Sequence, residues 1–462
     1  MTRRYATNFF IRACLLIFLV ATVLTCKKDD GPRIDDEVID RTGTTTLPLF
    51  TISTNAEIVD EPKVDGRLTL SDSTGVLYEG NIAIEKRGAS SQAFFEKQQY
   101  GFETRDAANA DLDVSLLSYP EEEDWILNGP YSDKSLVRNH LIYNLARDMG
   151  HYASRTELVE LTLNGSFAGL YVFMEKLKRD KGRIDISKLN PEDIEGEELT
   201  GGYIIKIDKA EGSDSGGYSL QNSFVSNVPP IGSNQNQSIR FLFDYPDASD
   251  IVPEHRTYIQ DYIASFESAL ASAFFADPVS GYANYIDVDS FIDFFILNEL
   301  SNNVDGYRLS TFLHKDKGEK LKAGPIWDFN LAFGNADYCS GGEVNVWAYR
   351  FNERCPDDFW QVPFWWDRLL QDPAYVAKLK ERWNTLRGGV LSNNEIQEKI
   401  DSYVALMQET KAIENNFKRW DVLGIYIWPN NFVGNNYIEE VNYLRSWIEN
   451  RLSWLDTEIS AL

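Results

Sequence analysis

Two aspartates stand in stretches built to turn: Asp305 in "NNVDGYRLS", followed at once by Gly306, and Asp328 in "GPIWDFNLAFGN", which runs on to Gly334. A strand-like "STFLH" lies between them, so the two loops bracket a hairpin and can converge on one point. There one carboxylate can orient a hydroxyl while the other ligates a divalent ion. Either residue can instead close an Asx-turn, a common use of loop aspartates. The run leading to Asp328 is expected to be strand-like up to that residue.

A second candidate wall is "KRGASSQAFFEKQQYGF". Its Gly-Ala-Ser-Ser turn follows a strand pattern, so backbone N–H groups and hydroxyls can approach an anion, with Lys97 at the start of the next strand. The alternative is an ordinary solvated turn. Other chemistries lack their residues. His140, His151, His255 and His314 are scattered without ligand spacing for zinc, and no Gly-x-Ser-x-Gly elbow is present.

The elements that must carry these loops follow from periodicity. "LPLFTIST" and "GRLTLSDSTGVLYEGNIAIEKRG" alternate apolar and polar residues as antiparallel strands do. "DKSLVRNHLIYNLARDMG" places Leu136, Leu141, Leu145 and Met149 at helical spacing and ends at Gly150. "ELVELTLNGSFAGLYVFMEKL" alternates around Asn164-Gly165, a strong hairpin signal. "GGYIIKIDK" adds a strand. Beyond a polar loop, "PEHRTYIQDYIASFESALASAFF", "DVDSFIDFFILNELS" and most of the chain after Val362 have helical patterns. The expectation is an α+β, two-lobed fold: a β-rich lobe over about 47–210 and a helical lobe over about 250–462, with a cleft between them.

Composition supports a packed protein, because 43% hydrophobic residues and 13% aromatics exceed what a disordered chain carries. A net charge of −26 without a basic stripe argues against nucleic acid as a partner. The N-terminus, with early arginines, an apolar run from Ala13 to Leu24 and Cys26 followed by Lys-Lys-Asp-Asp, resembles a bacterial lipoprotein signal over 1–26. The charged tetrad resembles the export tag of surface lipoproteins in the Bacteroidetes group. Cys26 would take the lipid, 27–46 would be a flexible spacer, and an uncleaved anchor is the alternative. Either gives an exported protein held at a membrane, an outer-membrane or cell-surface lipoprotein on the first reading. Cys14 leaves with the signal, so Cys339 and Cys355 remain, either as a disulfide or as two free thiols.

The lobe order, together with "RGASSQ", "DWILNGPYSDKSLVRNHLIYNLARDMG", "LNGSFAGLYVFMEK", "NNVDGYRLSTFLHKD" and "GPIWDFNLAFGN", resembles the spore-coat CotH kinase family from about Leu47 to the C-terminus. That resemblance implies an atypical protein-kinase-like fold and phosphorylation of a protein acceptor with ATP and Mg²⁺ or Mn²⁺. It implies that Asp305 is the catalytic-loop aspartate, Asp328 the metal-binding aspartate and Lys97 the phosphate-contacting lysine. The turn from Arg87 through Gly88, Ser90 and Ser91 would cover the phosphates, and Glu175 would open the adenine-contacting hinge. Ser310 stands where kinases carry a metal-ligating asparagine, and Asn330 replaces the second aspartate of a Trp-Asp-x-Asp pattern. Both keep an oxygen ligand while lowering the site's charge. The rival expectation is a catalytically inactive binding or structural lipoprotein, with Trp360, Trp365, Trp366 and Trp428 exposed to stack on sugar rings.

Overall fold

The computed structural model describes residues 46–210, 217–234 and 237–462. The expected leader with Cys26, and all of the spacer but its last residue, lie outside the described residues.

Seven strands close into a barrel: β1 (Leu49–Thr54), β2 (Val64–Asp72), β3 (Gly75–Arg87), β4 (Gln99–Arg105), β5 (Asp124–Asn128), β6 (Thr156–Leu163) and β7 (Ser166–Glu175). Their order is β1-β2-β3-β4-β5-β7-β6, and β1 pairs parallel to β6 to seal the ring. The β6–β7 hairpin turns at Asn164 and Gly165, whose φ values of 49° and 76° are both left-handed, as a type I′ turn requires. Inside, Phe50, Phe102, Trp125 and Phe173 fill the barrel, with Phe50 and Phe173 ring centres 4.9 Å apart. Short helix α1 (Ala89–Phe94) sits between β3 and β4, and α2 (Arg138–Asp148) between β5 and β6.

After β7 the chain enters a second sheet. Its strands are β8 (Tyr203–Ile207), β9 (Ser223–Val225), β10 (Arg240–Tyr245), β11 (Thr311–Lys315) and β12 (Lys322–Ala323), in the order β12-β11-β8-β10-β9. The helices of this part are α3 (Pro253–Ala271), α4 (Val288–Ser301), α5 (Phe351–Arg354), α6 (Trp365–Leu369), α7 (Pro373–Arg387), α8 (Asn393–Glu409), α9 (Ala412–Arg419) and α10 (Tyr437–Ala461). The β-rich region therefore ends at Glu175 and not near 210, because β8 pairs with β11 of the helical lobe, Ile207 opposite Thr311.

Helix α4 is the centre of the larger core. Asp287 caps it by accepting the Ser290 N–H at 2.9 Å, and twelve of its fourteen residues are buried. Phe291 and Phe294 pack on Trp366, and Trp365 faces Phe241 and Phe266. Each such side chain contributes roughly 1.5–3 kcal/mol by burial. Trp365 and Trp366 are thus core, contrary to the exposure that a sugar-stacking role requires. Leu136, Leu141, Leu145 and Met149 around α2 join this same core.

The core also holds a fully buried ion pair, Glu299 on α4 with Arg451 on α10, 3.2 Å apart. Arg451 donates further to the Glu299, Val344 and Val346 carbonyls, and Glu299 accepts the Ala348 and Tyr349 N–H groups and the Tyr307 hydroxyl. Cys339 and Cys355 are bonded, with Cα atoms 5.8 Å apart. Replacing Glu299 with Ala strands a buried guanidinium, and the expected cost is about 3–5 kcal/mol. Urea unfolding of the variant beside wild type measures it.

Candidate active site

Helix α2 orients the Asp328 segment. From Ala323 the chain runs through Gly324–Trp327 without strand pairing, so the expected strand stops at the two residues of β12. Asp328 then adopts a left-handed backbone, φ 59°. Its N–H donates to the Tyr143 hydroxyl at 3.0 Å, and the next N–H, of Phe329, donates to Asn139 Oδ1 at 2.8 Å. Asn139 and Tyr143 are four residues apart and share one face of α2, which is why one helix can hold two successive amides. Arg138, also buried, donates to the Ala332 carbonyl at 3.2 Å and pairs with Asp133.

Asp305 is fixed from the other side. Asn302 ends α4 in a left-handed conformation, and its amide donates to the Ser340 and Glu343 carbonyls. The Asx-turn here belongs to Asn303, whose Oδ1 accepts the Asp305 N–H at 3.2 Å, leaving the Asp305 carboxylate available. Arg308 donates to that carboxylate at 2.9 Å, to the Val304 carbonyl at 2.7 Å and to Asp358 at 3.2 Å, and lies 4.0 Å from the Phe351 ring centre. Tyr307, Ser310, Asp328 and Phe333 all have positive φ. Such strain costs of order 1–3 kcal/mol per residue and gathers at functional sites.

Burial pushes the Asp328 carboxyl up to about 7, reinforced by Asp305 and by Asp208, with Arg87 and Lys209 pulling the other way. Asp208 is also raised by burial, and Lys206 and the N–H groups of Lys209 and Ser310 restrain it. Burial lowers the Arg87 guanidinium, which the Asp328 charge opposes, and Arg87 sits 5.5 Å from the Trp327 ring centre. Asp208 was not among the expected site residues. Its signal was the alternation of "IIKID": Ile205 and Ile207 enter the core, while Lys206 and Asp208 take the opposite face.

These carboxylates are partly buried and incompletely neutralised, the chemistry of a site that takes a cation. They are spaced more widely than oxygens closed around one ion, since among the described residues that closeness is met only by Asp113, Glu122 and Glu123, far along the chain. Such spacing fits Mg²⁺, which binds through one or two carboxylates and completes its shell with waters and phosphate oxygens. Ser310 precedes β11 and Asn330 follows Asp328 by two residues, so both stand on the loops that carry the carboxylates.

Other expected residues are placed differently. Lys97 is fully buried, and its ammonium donates to the Pro130 carbonyl at 3.2 Å, to Asn416 Oδ1 at 2.8 Å and to the Leu170 carbonyl. With three acceptors for three donors it is a joint between barrel and α9, and the cations coupled to Asp328 are Arg87 and Lys209. Glu175 ends β7, but its N–H donates to Arg155, its carbonyl accepts from Ser154, and its carboxylate is bonded to Arg155. Its backbone and carboxylate are thus engaged with the Ser154–Arg155 segment. The "RGASS" turn becomes α1: Gly88 has φ 82°, and the Ser91 hydroxyl turns inward to the Arg87 carbonyl at 3.1 Å, leaving Ser90 partly exposed. Beyond it, Phe94 packs on Trp428, which stacks on Tyr338 at 6.2 Å.

The description "CotH kinase protein" matches residues 84–455, a span that includes every strand and loop contributing to this site. The chain belongs to that family. Membership implies a kinase-like fold, agreeing with the β-rich N-terminal and helical C-terminal parts, and it implies nucleotide binding and ATP use. It suggests an atypical kinase. No curated protein matches the chain.

Two measurements check these placements in this CotH-family chain. Lys97→Met is expected to lower stability by about 1–3 kcal/mol through stranded acceptors while leaving nucleotide affinity unchanged. Denaturant unfolding and nucleotide titration separate the two effects. For Asp328, the folded carboxyl holds its proton to higher pH than the unfolded one, so without metal the folded state loses stability as pH rises from about 4 through about 7. Asp328→Asn is expected to remove that loss, gaining up to about 4 kcal/mol at pH 8 and nothing below pH 4. Thermal unfolding across pH, with a chelator present, gives the comparison.

Proposed function

We propose that this CotH-family protein transfers the γ-phosphoryl group of ATP to a hydroxyl of a protein acceptor, using Mg²⁺ or Mn²⁺, while tethered outside the cytoplasm through lipid on Cys26. The observation that carries the reading is the placement of Asp328 on a left-handed turn whose amides α2 holds, within electrostatic reach of Asp305 and Arg87. Asp328 would hold the metal with oxygens of Asn330 and Ser310, and the ion would neutralise charge on the transferred phosphate. Arg87 and Lys209 would position phosphate oxygens. Asp305, oriented by Arg308, would accept the proton of the acceptor hydroxyl as its oxygen attacks the γ-phosphorus. The bond from the γ-phosphorus to the bridging oxygen breaks, and ADP leaves. The bonded pair Cys339 and Cys355 suits an oxidising compartment and so supports export.

A binding role without transfer draws support from the row of Phe94, Trp428 and Tyr338, since Phe94 is 63% and Trp428 38% exposed. Labelled γ-phosphate transfer with Mg²⁺ or Mn²⁺, on wild type, Asp305→Asn and Asp328→Ala, separates the readings. The expected result is incorporation by wild type and a loss of roughly 100-fold or more in each variant. Equal incorporation in all three would overturn the assigned roles. No label, together with no metal-dependent ATP binding, would favour the binding role.

A further inference from the structure

We propose that the Cys339–Cys355 bond is a redox control on this site: the oxidised chain positions Asp305 for proton transfer, and a dithiol that reduces the bond stops the transfer step while nucleotide stays bound. The inference rests on the reading of Asp305 as the group that accepts the acceptor's proton.

The loop closed by the bond touches the chain on both sides of Asp305. Asn302 is buried and gives its side-chain amide to the carbonyls of Ser340, Gly341 and Glu343, at 3.0, 3.3 and 3.1 Å. Gly341 lies so close to Val304 that a Cβ added there would stand 2.6 Å from Val304 Cγ1. On the other side Arg308, which holds the Asp305 carboxylate, lies 4.0 Å from the Phe351 ring centre and is bonded to Asp358 at 3.2 Å. Both of those residues are fixed to the second cysteine: the Cys355 N–H donates to the Phe351 carbonyl at 2.9 Å, and the Asp358 N–H to the Cys355 carbonyl at 3.1 Å. One covalent bond thus joins the stretch against Asn302 and Val304 to the seat of Arg308.

What the bond holds is strained. Cys339 and Ser340 are successive non-glycine residues in the left-handed region, φ 48° and 60°, a backbone that persists only where its surroundings enforce it. Arg354 reaches the Cys339 carbonyl at 3.1 Å, but it belongs to the same closed loop. Farther along, the anchors do not depend on the bond: Trp447 donates to the Gly342 carbonyl, Arg451 to those of Val344 and Val346, and Glu299 accepts from Ala348 and Tyr349. Opening the bond therefore lets 339–341 relax and withdraw its carbonyls from Asn302 while the core stays. The Asp328 segment hangs from α2 instead, through Tyr143 and Asn139, and keeps its place.

Both cysteines are half-buried, so a dithiol can reach them. Its thiolate attacks one sulfur, the S–S bond breaks, and the other sulfur leaves as a thiolate that takes up a proton. The second thiol of the reductant then loses its proton and displaces the remaining cysteine from the mixed disulfide. Two electrons pass to the protein, and the reductant becomes a disulfide. A chain in a compartment that keeps thiols reduced would hold nucleotide without transferring phosphate.

Hydrogen exchange of the full chain, oxidised and after dithiothreitol, reads the positioning without an acceptor, and labelled γ-phosphate transfer to casein reads its effect. Reduction is expected to speed exchange of the 302–310 amides by roughly 10-fold or more and to leave those of α2 unchanged. It is expected to lower kcat by roughly 10- to 100-fold, with affinity for a non-hydrolysable ATP analogue within about twofold, and reoxidation is expected to restore both readouts. Cys339→Ser combined with Cys355→Ser is expected to match the reduced chain and to ignore dithiothreitol. Gly341→Ala, with the bond intact, is expected to lower kcat at unchanged affinity. Unchanged exchange and rate after reduction would overturn the proposal. Joint loss of nucleotide affinity and of the circular dichroism signal on reduction would also overturn it, because the bond would then only staple the fold. Should the double variant fail to fold, reduction of the wild type decides. No transfer by the oxidised wild type, alongside faster exchange at 302–310 on reduction, would overturn the role of Asp305 in transfer and leave the positioning in place.

Discussion

Asp208, Asp305 and Asp328 repel one another in a partly dewatered setting, and the surrounding architecture can be understood as what holds them there. Like charges at such range cost on the order of 1 kcal/mol or more per pair once water is partly excluded. No side chain nearby fully offsets that cost, so geometry must be imposed by the backbone. Tyr143 and Asn139 hold the amides of Asp328 and Phe329, Asn303 holds the Asp305 amide, and the Lys209 N–H holds Asp208. Each carboxylate is fixed through bonds that leave it with charge available for a ligand.

Those anchors belong to different elements, which explains why the helical lobe needs so rigid a core. Asp305 follows α4, and α4 is tied through Glu299 and Arg451 to α10 near the chain's end and to the 344–349 segment. Tyr307, two residues past Asp305, donates to the same Glu299 at 3.0 Å. A buried ion pair with four hydrogen bonds from its guanidinium adds little net stability but specifies one arrangement, and here that arrangement sets the loop carrying Asp305.

The sequence made the two central aspartates legible because loop punctuation and a bracketing hairpin are local signals. Helix α2, the Asn164-Gly165 turn and α4 were legible for the same reason: period and turn chemistry are written in neighbouring residues. Lys97 was misjudged because its three acceptors come from residues 130, 170 and 416, and no local pattern announces a bond across the chain. Asp208 was overlooked for a related reason. Its importance depends on β8 pairing with β11 and leaving the barrel to which the β-rich pattern had joined it. Trp365 and Trp366 show the converse, since clustered aromatics look alike in sequence whether they face solvent or fill a core.

The joint at Lys97 has a consequence for how the molecule comes apart. Its ammonium is a barrel group whose third acceptor, Asn416, lies on α9, and Asn416 also accepts the Leu170 N–H of β7 at 3.1 Å. Trp420 donates to the Ala168 carbonyl and Arg419 to that of Phe167, so one strand of the barrel is bonded along its length to a late segment of the chain. A fragment ending after the barrel would bury an under-coordinated charge and leave β7 without this cover. The barrel and α9 are therefore interdependent, since β7 gains this cover only when residues 416–420 are in place.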